Sequence, residues 1–135
     1  MAHDLKIEML LPATPKQLMP LLTDQEQIEI WSGEAAVFEA KEGGKVSLFD
    51  GWMSGVVQNI SDKGLSYTCT CSDWPEGTAA SLVQYTLKQD GEQTAFVLEH
   101  KGLPDEEEVK SQKAGWLDFF CTPLEDYLMV RFNKD

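Results

Sequence analysis

The stretch that decides the fold runs from Asp105 to Phe132, DEEEVKSQKAGWLDFFCTPLEDYLMVRF. Asp105 follows Pro104 and precedes Glu106, Glu107 and Glu108. A carboxylate that can accept backbone hydrogen bonds, with three acids behind it at the positive end of a helix dipole, is a helix start. Val109, Trp116, Phe119, Phe120, Leu124, Tyr127, Leu128 and Val130 then recur at spacings of three and four, or one step beside them. That period draws one apolar stripe along a helix, and such a stripe must be buried against something. Gly115 costs about 1 kcal/mol against alanine inside a helix, so it is expected to mark a close approach to the packing surface. Pro123 has no amide hydrogen and is expected to kink or divide the helix, leaving the part beyond it able to move and open a cavity.

Working back from that helix, the text between Ala35 and Lys101 reads as strands and turns. Gly43-Gly44, Asp50-Gly51 and Asp90-Gly91 are hairpin signals, and Asp62-Lys63-Gly64 reads as a slightly longer turn. Between them lie candidate strands at 45–49, 52–60, 65–72, 79–88 and 94–101. Connections this short make neighbours antiparallel. Leu65, Tyr67, Cys69 and Cys71 alternate with Ser66, Thr68, Thr70 and Ser72, which places the first set on a covered face and the hydroxyls on a wet one. The same period selects Val83, Tyr85 and Leu87, then Phe96, Leu98 and His100, as covered. In 52–60 two readings compete: Trp52, Val56 and Ile60, or Met53 and Val57.

Nearer the N-terminus, Leu5–Leu11 reads as a first strand. Thr14-Pro15-Lys16-Gln17 is a helix start with a reciprocal cap and proline at the first helical position. Thr23-Asp24-Gln25-Glu26 repeats that logic with Thr23 as the cap, and Gly33 is placed to end the second helix. The fold class expected is α+β: a curved antiparallel sheet of about six or seven strands around a long C-terminal helix, with two short helices after the first strand.

The whole of 1–135 is expected to form one domain, since 135 residues with 42% hydrophobic and 25% charged content make an ordinary globular composition. The net charge is −12. Such a surface repels phosphates, so nucleic acid is not expected as a partner, and a basic partner is favoured. No stretch approaches the ~20 apolar residues of a membrane span, and no membrane insertion is expected. Met1–Pro12 carries one lysine and no apolar run with a cleavage site, and three cysteines make an odd number. A cytoplasmic, reducing location is the expectation.

Four words occur in order along the chain: Leu48-Phe49-Asp50-Gly51 with Gly55; Trp74-Pro75-Glu76-Gly77 with Ser81; Glu99-His100-Lys101-Gly102-Leu103-Pro104; and Gly115-Trp116 before an aromatic helix. With the order of elements they give a helix-grip layout. The chain resembles the C-terminal-domain family of the Aha1-type Hsp90 ATPase activators, in the START-like superfamily, and in particular its stand-alone bacterial members. The resemblance implies a cavity between the concave sheet and the C-terminal helix. Superfamily relatives hold lipids, sterols, polyketides or hormones there, and a few catalyse cyclisation. It implies no shared catalytic set. The eukaryotic co-chaperone uses a separate N-terminal domain for full stimulation of Hsp90, so chaperone activation does not carry over directly.

The residues expected to line such a cavity are Trp52, Tyr67, Ser81, Tyr85, His100, Trp116, Phe120 and Tyr127. Aromatic bodies with polar tips suit a ligand pocket and plain core equally. His100 reads either as a polar anchor or base, or as a hydrogen-bonded histidine at a strand end. Cys69, Cys71 and Cys121 read as small buried groups, since a zinc site needs about four ligands. No catalytic residue, metal or cofactor is expected. The first functional expectation is a binding protein for a small hydrophobic or amphipathic ligand. The alternatives are a protein-interaction module with a chaperone contact, and a cavity enzyme of cyclase or hydrolase type. Oligomeric state is left open.

Overall fold

Thr14 accepts a hydrogen bond from the Gln17 amide and Gln17 reaches back to the Thr14 amide, so the first helix starts where its cap places it. The same correspondence of local signal and element runs through the computed structural model, which describes residues 3–132. Strand β1 (His3–Leu11) leads into helices α1 (Pro15–Thr23) and α2 (Gln25–Ser32). Six strands follow: β2 (Val37–Phe38), β3 (Lys45–Leu48), β4 (Met53–Ser61), β5 (Gly64–Cys71), β6 (Ser81–Asp90) and β7 (Gln93–Leu103). The chain closes with α3 (Glu106–Gly115), a π-helical turn (Trp116–Cys121) and α4 (Thr122–Phe132).

The seven strands make one antiparallel sheet in the order β1-β7-β6-β5-β4-β3-β2. The first strand therefore lies beside the last, and β1 and β2 are the two edges. The faces follow the alternation: Leu65, Tyr67, Cys69, Cys71, Val83, Tyr85, Leu87, Phe96, Leu98 and His100 are all buried. Ser66 departs from expectation. It lies on the outer face but is buried, with the Asn59 amide 3.4 Å from its hydroxyl.

The ambiguity in β4 has a physical cause. Val57 pairs with Tyr67 but Asn59 pairs with Ser66, so one extra residue is inserted at Gln58. A bulge reverses the parity of everything beyond it. Met53 and Val57 face the core before it, and Ile60, opposite Leu65, packs on the core after it. Val56 is exposed, and Trp52, in the turn before the strand, is half-buried and packs on the core from there. Gly55 marks the tight part of this strand: a Cβ there would collide with the Thr68 carbonyl oxygen.

Two other details correct the sequence reading. Asp24, not Thr23, caps α2, accepting from the Glu26 and Gln27 amides at 2.9 and 3.4 Å. Thr23 instead closes α1, its hydroxyl donating to the Met19 carbonyl at 2.8 Å. The β4–β5 connection is also tighter than expected, because Ser61 already pairs with Gly64.

Asp105 caps the C-terminal helix as predicted, accepting from the Glu108 amide at 2.8 Å. The buried positions along it are Gln112, Trp116, Phe120, Cys121, Leu124 and Leu128. Phe119 and Val130 are 57% and 84% exposed, so they lie outside the stripe in which the sequence placed them. From Gln112 onward the buried positions step by four. In an ideal α-helix a step of four drifts by about 40° each time. The π turn at Trp116–Cys121 is wider than an α turn and takes up that drift, keeping the row against the sheet. Pro123 sits in the first turn of α4, directly after this wide turn. It does not divide the helix. The irregularity it requires is placed one turn earlier, and the Thr122 amide bonds to the Leu117 carbonyl across it.

Candidate functional site

The site to be tested is the space between the sheet and the C-terminal helix. Six of the eight expected lining residues, Tyr67, Ser81, Tyr85, His100, Trp116 and Phe120, are buried and brought together there. Trp116 and Phe120 meet edge to face at 5.2 Å between ring centroids. Phe120 also meets Tyr85 at 5.4 Å, and Tyr85 meets Tyr67 at 5.6 Å. Three rings outside the expected set complete the cluster: Trp31 meets Phe120 edge to face at 5.2 Å, Phe96 stacks on Phe120 at 6.0 Å, and Phe49 meets Trp116 at 6.3 Å.

The other two expected residues lie elsewhere. Trp52 is in the turn before β4, half-buried, and donates its indole N–H to Asp73 Oδ1 at 3.1 Å. Tyr127 is half-buried on α4, where its hydroxyl accepts from Arg131 at 2.9 Å and its ring lies 5.9 Å below the guanidinium.

His100 is fully buried, and the chemistry of its neighbours sets its proton. Trp116 Nε1 is a donor only and lies 3.0 Å from His100 Nδ1, so Nδ1 accepts. In the neutral ring the hydrogen is then on Nε2, which donates to Ser81 Oγ at 2.7 Å. The Ser81 hydroxyl passes its own hydrogen to the Cys69 carbonyl at 2.7 Å. This is a closed relay, indole to imidazole to hydroxyl to carbonyl. Burial pushes the imidazole pKa down to about 4, so the ring is neutral at physiological pH. With both ring nitrogens committed, His100 has no lone pair free to act as a base.

The phenols are equally quiet. Tyr67 and Tyr85 share a 2.7 Å hydrogen bond, and burial holds both pKa values above the ordinary range. Burial raises the Cys121 thiol to about 11. Cys69 is pushed up by its hydrogen bond to Cys71 and by burial, whereas hydrogen bonds from Cys69 and from Gln112 draw Cys71 down. All three cysteines are free thiols. Among the described residues no group of three or more His, Cys, Asp and Glu could hold a metal ion.

Gln112 is a buried polar group that the sequence reading missed. Its amide donates to Glu108 Oε2 at 2.7 Å and to Cys71 Sγ at 3.2 Å. Trp74 donates to the same carboxylate oxygen at 2.8 Å. Glu108 thereby ties the β5–β6 loop to the start of α3. The one available signal was its spacing: Gln112 lies four residues after Glu108 and four before Trp116, on the buried row.

The rings leave little room. Leu22, Ile28, Trp31, Leu48, Phe49, Tyr85 and Phe120 enclose a cavity of about 10 Å³, which is space for a single water at most. Phe49, which closes one side, has φ +56°, and Asp50 beside it +57°. Wider concavities lie on the surface: a groove of about 990 Å³ runs along α1 past Pro15, Met19 and Pro20 to Ala40 and Asp62. No helix among the described residues is long and apolar enough to cross a membrane.

Comparison with known proteins agrees with this architecture. The family described as Activator of Hsp90 ATPase homolog 1-like protein matches residues 12–129. The human protein named activator of 90 kDa heat shock protein ATPase homolog 1 is 29% identical over 108 residues, which cover 79% of this chain and 31% of that one. The chain thus spans about a third of the length of that relative. An Hsp90 activator from Plasmodium falciparum superposes with a TM-score of 0.84 at 25% identity, covering 93% of this chain and 95% of the other. A Mesorhizobium loti protein superposes with a TM-score of 0.80 at 27% identity, covering 98% and 99%. With a matching family over residues 12–129 and the helix-grip fold on which those relatives are built, this chain belongs to the Activator of Hsp90 ATPase homolog 1-like family.

Proposed function

We propose that this chain is a non-catalytic protein-interaction domain that docks on an Hsp90-type chaperone. The observation that carries this reading is the filled interior. The space in which START-like proteins accommodate small molecules is here about 10 Å³, closed by the chain's own rings. A function that does not use the interior must use the surface. That surface belongs to a chain with net charge −12, which favours partners carrying basic patches and steers their approach. The human relative is named an activator of the Hsp90 ATPase, and the Plasmodium falciparum relative an Hsp90 activator. The absence of any free base or nucleophile from the relay around His100 supports the non-catalytic part of the reading.

The test is retention of the whole chain on an immobilised Hsp90-type chaperone, with ATPase rate measured in parallel. Retention at low salt that weakens at moderate salt is expected, because charge attraction is screened. No retention at low salt overturns the proposal. A rise in melting temperature with fatty acids, sterols or aromatic metabolites would instead favour a small apolar ligand, which requires the ring cluster to open.

A further inference from the structure

The sheet ends in two unequal edges. Strand β2 is only Val37–Phe38, but β1 runs nine residues, His3–Leu11. β1 pairs with β7 from Leu5 to Leu11 and again at His3, with a register shift between His3 and Leu5. Backbone groups of a strand alternate in direction, so β1 also presents a row of N–H and C=O groups on its outer side. Long edges of this kind are usually blunted by proline, bulges or charge. β1 has no proline. Its outer-face side chains are Asp4, Lys6, Glu8 and Leu10, with Leu10 48% exposed, and its core-face side chains include Leu5, Ile7 and the half-buried Met9.

These charges do not forbid self-pairing in every register. A second β1 laid antiparallel must put opposite residues on the same face, so the two-fold axis passes through a residue. Centred on Lys6, the pairing sets Lys6 against Lys6 and Asp4 against Glu8. Centred on Glu8, it sets Glu8 against Glu8. Centred on Leu5, it matches Asp4 with Lys6 but overlaps only residues 3–7. Centred on Ile7, it overlaps all nine residues. Lys6 then meets Glu8 twice, Leu5 meets Met9 twice, and Ile7 meets Ile7 on the axis. Opposite charges and apolar pairs facing each other directly are the stabilising cross-strand contacts, and like charges are destabilising.

We propose that β1 is a homodimer interface, in which two copies of this chain join edge to edge about a two-fold axis at Ile7 to form one continuous antiparallel sheet. The occupant is a second copy because the strand is complementary to itself in the register of full overlap. The pairing also gives the outward backbone groups partners and covers Met9.

Sedimentation equilibrium of the full chain from micromolar to millimolar concentration tests this. The wild type is expected to dimerise with concentration. Lys6→Glu places two pairs of acids opposite each other, and Glu8→Lys two pairs of bases. Each variant should weaken the dimer by about tenfold or more. Both positions are exposed, and circular dichroism will verify that each variant is folded. The two variants mixed in equal amounts should recover the dimer, because each position 6 then meets an opposite charge at position 8 of the other chain. A wild type that stays monomeric at millimolar concentration overturns the proposal. So does a dimer that both single variants leave unchanged, or a mixture that associates no better than either variant alone.

Discussion

His100 shows how one residue is decided by its surroundings. Its pKa of about 4 in the folded chain lies below the ordinary value of 6.5. The unfolded chain therefore takes up a proton as pH falls through 6.5, and the folded chain does not until about 4. The stability owed to the neutral ring is full above the unfolded value, declines between about 6.5 and 4, and changes no further below that. Urea unfolding at pH 7 and pH 5 should show the wild type losing about 2 kcal/mol more than His100→Gln, in which this titration is absent. Trp116→Phe removes the donor to Nδ1 and leaves a buried acceptor unpaired, a loss of about 1–3 kcal/mol in the same measurement. Gly115 is the opposite case. A Cβ there would meet only Trp52 Cη2, at 3.9 Å, which is ordinary contact. The helix approaches the sheet through Trp116 and not through Gly115, so the expectation of a glycine forced by close packing is corrected. Gly115→Ala should stabilise the chain by about 0.5–1 kcal/mol, read as a higher melting temperature.

At the scale of elements, local signals located most starts and stops. Thr14, Asp105 and Gly33 sit where caps and stops must sit, because each satisfies backbone groups within its own turn. Thr23 and Asp24 were harder to separate. Both can cap, and only the packing of α1 against α2 settles which does. Asp24→Ala should cost about 1 kcal/mol, and Thr23→Ala less, a contrast that thermal unfolding of the two variants will resolve. The π turn could not be read from the apolar pattern. The stripe mixed true core positions with Phe119 and Val130, because steps of three and of four residues fall on opposite sides of the same line along an ideal helix, by about 60° and about 40°. Which step holds depends on where the sheet lies. The bulge at Gln58 was hidden for the same reason: alternation on both sides of it was visible, but the change of phase needs the partner strand.

For the whole molecule, the decisive quantity is the volume left inside. Aromatic residues at inward positions were legible, but rings that line a cavity and rings that fill it have the same sequence. Phe120 touches Trp31, Tyr85, Phe96 and Trp116 and stands at the centre of the filling. Phe120→Ala should cost about 3–5 kcal/mol. It should also open a dry apolar space that takes up a small aromatic such as benzene, raising the melting temperature of the variant while leaving the wild type unmoved. Uptake by the wild type would return the interior to consideration as the binding site.

The sequence by itself determined the six longer strands, the caps at Thr14 and Asp105 and the inward faces of β5, β6 and β7, since periods of two and short-range hydrogen bonds act within a few residues of each other; the two-residue β2, the cap at Asp24 and the face of β4 it did not. It also determined the family, through words whose order and spacing persist across the chain. Only the tertiary structure decided that Trp52 and Tyr127 stand outside the ring cluster, that Gln112 is buried, that His100 is closed into a relay with both nitrogens used, and that the long C-terminal helix is held in phase by a π turn rather than broken at Pro123. Each of these depends on groups far apart in the chain reaching the same few ångströms, and no local pattern carries that distance.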